Sequence, residues 1–414
     1  MIIAGVRGKN ISRPRPVAAR IIPPFPLYVD TEAASGGDGN RATPYASLSD
    51  AVTACSGFAD WRIIVNAPIT DPVRSQIDYD SSFGLTIEGD DLTPWYSYGS
   101  EIVDDWTDSG GGVYSKNLGW TDVNPVFVPT MTETVGDIST WFKKLIKNTS
   151  TPTTPSAGEF GFSSGVLYIH LPDSANPALH VIEAGRRNLG FFAYGAGRLN
   201  LKNVISRGNI ISGALVGLST QPDGTGKMTI EDSLFEYSEN GPATSGKFES
   251  LICTRVKSYR HNNDGYNIHA AVPGGAATLS ELNQCIGSYN GDSINQSSQG
   301  ASAHEACTMT IRGGSYNYNV SGGMVSIDDA VVNFDGSTNY GAVLMDQNMR
   351  LGNVGGTIQL QASCAWMDNC TGSVVGSVTV SNGQGVGVKT ETVDAVTGIE
   401  NINSDGNALP DEIA

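Results

Sequence analysis

The sequence predicts an all-β chain wound as a right-handed parallel β-helix, and three observations point there. Short β-rich runs recur from residue 198 onward, starting at Arg198, Lys227, Glu249, Thr278, Cys307, Ala330, Met349 and Cys370, at intervals of 19 to 29 residues. Each run soon meets a Gly, Asn or Asp turn. Tyr237, Tyr259, Tyr289 and Tyr316 recur once per repeat, and three residues beyond them lie Asn240, Asn262, Asp292 and Asn319. Asn and Asp accept the left-handed conformation of a tight corner, so this column reads first as a turn ladder. The chain is also turn-rich, with 50 Gly and 19 Pro in 414 residues and only 16% charged residues. Leucine-rich repeats need regular Leu spacing and propellers a period of roughly 40 or more, whereas parallel coils tolerate variable loops. Parallel strands joined by crossovers overwhelmingly take the right hand.

The elements follow in order. Residues 1–27 contain Arg7, Lys9, Arg13, Arg15 and Arg20, no acid, and five prolines from Pro14 to Pro26. Such a segment cannot form a long helix and reads as an extended basic arm, either a disordered leader or an anchor that docks on an acidic partner. Residues 28–89 open the body. A strand at Tyr28-Val29-Asp30 meets a Gly-rich turn from Gly36 to Asn40. Thr43-Pro44-Tyr45-Ala46-Ser47-Leu48 then leads into a short capping helix. Ser47 and Asp50 have capping-box spacing, and Leu48, Val52 and Cys55 fall on one helix face. Strands follow at Arg62–Val65 and Leu85–Ile87. Residues 90–197 carry Trp95, Trp106, Trp120 and Trp141 in an irregular pattern, expected to be an insertion with its own small core. Its aromatics serve as core or as sugar-stacking platforms. Residues 198–392 form the body, and 393–414 an acidic tail. A solenoid's open ends need covers, which the helix and the tail can supply.

The opening from Tyr28 to about Ala54 resembles the start of pectate-lyase-like right-handed parallel β-helix proteins. There a strand, a polar turn, a Pro-aromatic-x-[ST]-Leu step and a capping helix precede the first coils. A second resemblance lies at Gly158-Glu159-Phe160 through Leu167–Asp173 to Pro177 and Glu183. It matches a hairpin found in that superfamily just before the main solenoid.

Composition excludes several classes. A formal charge of -17, with 42 acids against 25 bases, argues against a nucleic-acid partner. No apolar run approaches the roughly 18 residues of a membrane helix, so no membrane insertion is expected. Met1–Val6 is too short for the apolar part of a classical secretion signal. Six scattered Cys without a CxxC pair indicate buried apolar residues rather than a disulfide scaffold or zinc ribbon. P-loop and strand-preceded dinucleotide motifs are missing, which leaves nucleotide hydrolysis and redox chemistry without support. No cofactor is expected.

Two of the five His occupy matched places, in Asp264-Gly265-Tyr266-Asn267-Ile268-His269 and in Gly300-Ala301-Ser302-Ala303-His304-Glu305. Strand alternation turns Tyr266, Ile268, Ala301 and Ala303 inward, and Asn267, His269, Ser302 and His304 outward. Rungs lie roughly 4.8 Å apart, so the imidazoles stack within reach of Asp264 and near Glu305. Ile327 and Asp328 hold the corresponding places on the next rung. Three readings compete: a solvated His ladder, a polysaccharide site, and a metal site completed by a carboxylate, for which no short-range ligand motif such as HExxH is present.

These two motifs, with Ile311–Tyr316, resemble a repeat of phage and bacterial β-helix proteins, with Gln299 standing where a second Asp is expected. Glycoside hydrolysis needs two flanking carboxyls, with Asp264, Asp292, Glu305 and Asp328 as candidates. Elimination needs a cation or calcium to neutralise a uronate and a base to remove its neighbouring proton, with His269 or His304 as base and Arg260 or Arg312 as the nearby cation. The catalytic candidates are thus Asp264, His269, Asp292, His304 and Glu305; the substrate-binding candidates are Asn267, Ser302, Arg260, Arg312 and Asp328. The resemblance, the basic arm and the outward His, Asn and Ser imply a virion-associated spike or tail-fibre protein. It would be a homotrimer attached to a particle through residues 1–27, binding, and in one reading depolymerising, bacterial surface polysaccharide. The alternatives are a soluble polysaccharide lyase or glycoside hydrolase, and a purely structural fibre.

Overall fold

The computed structural model describes residues 26–336 except 56–58, 136–137, 218–223, 270–278, 292–297, 306, 321 and 327–329. It also describes 339, 343–346, 365–367, 371–376, 378–381, 388–390 and 396–397. Three parallel walls run along the chain. One coil shows the plan: Arg198–Lys202 lies in the first wall, Val204–Arg207 in the second and Ser212–Val216 in the third. The next strand, Lys227–Glu231, returns to pair in parallel with Arg198–Lys202. Repetition builds an 11-stranded first wall, an 8-stranded second and a 9-stranded third, an arrangement compatible with a parallel β-helix. The walls share one core. Alternation buries Leu85, Leu199, Met228, Leu251 and Met309 of the first wall against Phe191, Ala214, Tyr266, Ala301 and Met324 of the third.

The corners explain the spacing. Between first and second walls, Asn203, Asp232, Arg255 and Gln284 take positive φ of 58°, 50°, 54° and 54°. Between second and third walls, Tyr237, Arg260, Tyr289 and Tyr318 do so at 52°, 59°, 59° and 57°. Tyr237 and Tyr289 therefore hold the expected corner. Tyr259 sits one residue earlier, paired with Glu236 and Ser288, because the intervening coil is one residue longer than the Tyr spacing. Tyr316 lies in the core, edge-on to Tyr266 at 6.5 Å.

The polar ladder of this corner is internal. The backbone N–H of Asn209 donates to Ser238 Oγ at 3.1 Å, that of Ser238 to His261 Nδ1 at 3.2 Å, that of His261 to Asn290 Oδ1 at 3.1 Å, and that of Asn290 to Asn319 Oδ1 at 3.1 Å. All five side chains are fully buried, and those of Ser238, His261, Asn290 and Asn319 each satisfy a backbone donor that the turn leaves outside the wall ladders. Asn319 thus belongs to the ladder, Asn240 and Asn262 lie elsewhere, and Asp292 is outside the described residues.

Val331–Gly336 pairs directly with Thr371–Gly376, and the repeat start expected at Met349 lies outside the described residues. One further expectation shifts. Trp95, expected in the insertion, starts the second-wall strand Trp95–Tyr98 and packs in the main core against Phe191.

Leu27–Asp30 pairs with Trp61–Asn66 at the first-wall edge, and the helix Leu48–Ala54 covers that end. Ser47 Oγ accepts from the Asp50 N–H, while Leu48, Ala51 and Cys55 are buried and Val52 packs beside them. The insertion, from Ser100–Val103 to Ile182–Gly185, is a separate mixed sheet with its own core of Val126, Leu145, Phe160, Leu167 and Ile182. Trp106 and Trp120 pack on that core. Its long hairpin, Val126–Val135 and Ile138–Lys147, seats Trp141, Phe127 and Phe142 on Tyr237, Tyr259 and Tyr289. Trp141 is thus a docking residue, 9% exposed.

Candidate functional site

The third wall brings the two His motifs onto adjacent rungs. Tyr266–His269 pairs in parallel with Gln299–His304, setting Asn267 beside Ser302 and His269 beside His304. Tyr266, Ile268, Ala301 and Ala303 are fully buried in the core, as the alternation requires. The imidazoles of His269 and His304 stack with centroids 4.1 Å apart and planes 4° apart. His269 Nδ1 lies 3.1 and 3.2 Å from the two Glu305 carboxylate oxygens. Since the carboxylate accepts, Nδ1 carries the proton and Nε2 is left as acceptor, without a protein partner among the described residues. His269 is 37% exposed and Glu305 27%, so the pair meets solvent. His304 is pushed down to about 3, first by burial and second by the neighbouring imidazole. His304 therefore stays neutral beneath the His269 ring.

Glu305 takes its place through a left-handed turn, φ 56°, directly after the His304 strand. That turn folds its carboxylate back over His269, one rung away.

Asp264 was expected among the groove residues. It lies instead beneath the surface, 3% exposed, with Oδ1 accepting from the Gln299 N–H at 2.8 Å and Oδ2 from Ser302 Oγ at 2.6 Å. Burial raises it to about 7 despite those two donors, and Glu239 adds to the rise. Ser302, fully buried, also reaches Asn267 Oδ1 at 3.3 Å, and Asn267 Nδ2 donates to Asn240 Oδ1 at 3.1 Å. Asp264, Ser302, Asn267 and Asn240 form one network that fixes the wall beneath the imidazoles. Gln299 joins it through its backbone N–H.

No family model matches the chain, and no curated protein matches it. Two solved structures are similar to it. One, described as the complex structure of XylC with xylose, is 11% identical, with 84% of this chain and 68% of that one covered and a TM-score of 0.46. The other, described as a glycoside hydrolase, is 8% identical, with 87% and 96% covered and a TM-score of 0.42.

Arg260 and Arg312, expected as substrate cations, are placed away from the imidazoles. Arg260 is 5% exposed and ion-paired to Glu133 of the insertion. Arg312 lies in the first wall, bonded to Asn283 Oδ1 at 3.0 Å and Glu281 Oε2 at 2.8 Å. Both follow from the register: position 260 falls on a corner under the docked hairpin, and position 312 ends a strand of another wall. Asp292 and Asp328 lie outside the described residues. Among the described residues no cluster of three or more His, Cys, Asp or Glu could hold a metal ion.

Sequence reasoning missed Asn240 and Glu239 as neighbours of Asp264. The repeated pairs Asn240-Gly241, Asp264-Gly265 and Gln299-Gly300 are the signal that aligns them. In this column a Cβ on Gly241 would stand 2.0 Å from Ser258 Oγ, and one on Gly300 2.5 Å from the Gly287 carbonyl oxygen.

Proposed function

We propose that this chain is a right-handed parallel β-helix protein that binds an extended bacterial polysaccharide along its third wall and cleaves it by general acid–base chemistry. The observation that carries this reading is the Glu305–His269 pair stacked on neutral His304. Glu305 orients the imidazole and stabilises its protonated form, while Nε2 accepts a proton from water or a sugar hydroxyl. Asp264 acts as a positioning residue through Ser302 and Asn267. Hydrolysis is favoured over elimination because Arg260 and Arg312, the cations expected to neutralise a uronate, are committed to Glu133 and Glu281.

Incubation with a panel of capsular polysaccharides tests the reading, following binding, new reducing ends and the absorbance of an unsaturated product. Binding with new reducing ends and no unsaturation supports it. Unsaturated product selects elimination, and absence of binding overturns it.

We also propose that the protein is a homotrimeric spike of a phage or phage-like particle, anchored through residues 1–27. The support is the cationic, proline-rich composition of that arm. Because Leu27 is part of the first strand, the test deletes residues 1–25 only. The truncated protein should fold and associate as full-length protein does, yet fail to join particles. Incorporation of the truncated chain overturns the anchor, and a mass near 43.5 kDa by light scattering overturns the trimer.

A further inference from the structure

The first corner of the opening coils carries a cleft remote from the imidazoles. It lies between the loop after Trp61–Asn66 and the turn joining Gly84–Gly89 to Trp95–Tyr98, and encloses about 570 Å³. That is within the size range of small-ligand sites. One side is apolar: Pro68, Ile69 and Pro94 line it, and Ile69 is 52% exposed with no core to join. Tyr96 adds an aromatic ring. The polar side is Asn66, Asp90 and Asp91. A smaller hollow of about 270 Å³ shares both aspartates and extends the cleft towards Arg41 and Arg62.

The charges in this groove are unequally committed. Arg41 lies over the Tyr28 ring at 5.6 Å and pairs with Asp90 at 3.1 Å, and Arg62 pairs with Glu88. Asp91 has no hydrogen bond or ion pair among the described residues, and its left-handed turn, φ 48°, holds it at the rim. One uncompensated carboxylate facing an aromatic and aliphatic wall suits a ring with an apolar face and a cationic amine.

We infer that this cleft binds an amino sugar, a pyranose with a free ammonium group, as a second saccharide site separate from the third wall. The ring lies against Ile69, Pro94 and Tyr96, and its ammonium pairs with Asp91.

Titration calorimetry on the full chain with a glucosamine trisaccharide, its N-acetylated form and a glucose trisaccharide tests this. The free amine should bind roughly three- to tenfold more tightly than either neutral form. Asp91→Asn should erase that preference, and it keeps the fold because Asn accepts the same left-handed turn. Ile69→Trp, at an exposed position, should block all three by filling the cleft. No binding of the amine by wild-type protein, or an unchanged preference in Asp91→Asn, overturns the inference. Binding that survives Ile69→Trp places the sugar elsewhere and overturns it too. None of these outcomes bears on cleavage at His269.

Discussion

His269 and His304 stack on adjacent rungs with centroids 4.1 Å apart, yet only His269 has a carboxylate on its ring nitrogen. Burial first, and the neighbouring imidazole second, set the pH behaviour of His304. His304 falls to about 3 in the folded chain from an ordinary 6.5. Between those values the unfolded chain takes up a proton that the folded chain refuses, so stability falls as pH drops from about 6.5 towards 3. Internal His261, also at about 3 through burial, contributes with the same sign. His304→Phe, which keeps a flat ring and removes the titration, should flatten the decline of urea midpoints over that window. Equal slopes in variant and wild type contradict the account.

Asp264 acts in the opposite sense. Its folded value of about 7 lies above the ordinary 3.8, so the folded chain retains a proton that the unfolded chain releases, and stability is lost as pH rises from about 4 to 7. Asp264→Asn should therefore gain stability relative to wild type across that interval. A pH-independent difference between the two midpoints would sink this assignment.

Close backbone approach makes a sharper forecast. Gly241→Ala places a methyl 2.0 Å from Ser258 Oγ and 2.1 Å from the Gly265 carbonyl oxygen, where two walls meet. The expected loss is about 3 kcal/mol or more. Gly110→Ala, at φ 87° with open space around it, should cost about 1 kcal/mol. Chemical denaturation of both variants checks the contrast, and similar losses would contradict it.

Arg260 separates architecture from ligand binding. It is nearly buried and paired with Glu133, which also accepts the Lys143 ammonium and the Lys144 N–H. Arg260→Ala should cost about 3 kcal/mol by leaving that carboxylate short of its partner. Saccharide affinity should be unchanged below the melting temperature. A loss of affinity without a loss of stability would restore the substrate role first expected of this residue.

The sequence made the architecture legible because each rung repeats one alternation. Tyr266 and Ile268 inward with Asn267 and His269 outward could be aligned with Ala301 to His304 by counting alone, and the strands pair in that register. Corners were less legible. The Tyr series mixes positions 237 and 289 of one corner with Tyr259 of a strand and Tyr316 of the core, because coil lengths differ by a few residues while Tyr suits all three settings. Asp264 and Arg260 were visible as chemistry but not as buried groups. Their burial comes from Ser302 one rung on and from a hairpin more than a hundred residues earlier, neither of which local pattern reveals.

The most direct test is the rate of reducing-end release from a polysaccharide that the protein binds, measured for wild type, His269→Gln and Glu305→Gln at matched saturation. The account predicts that His269→Gln retains binding and loses about 100-fold in rate, the contribution of a positioned acid–base group. Glu305→Gln should lose less, because it orients the ring without taking the proton. Unchanged cleavage by His269→Gln contradicts the central claim.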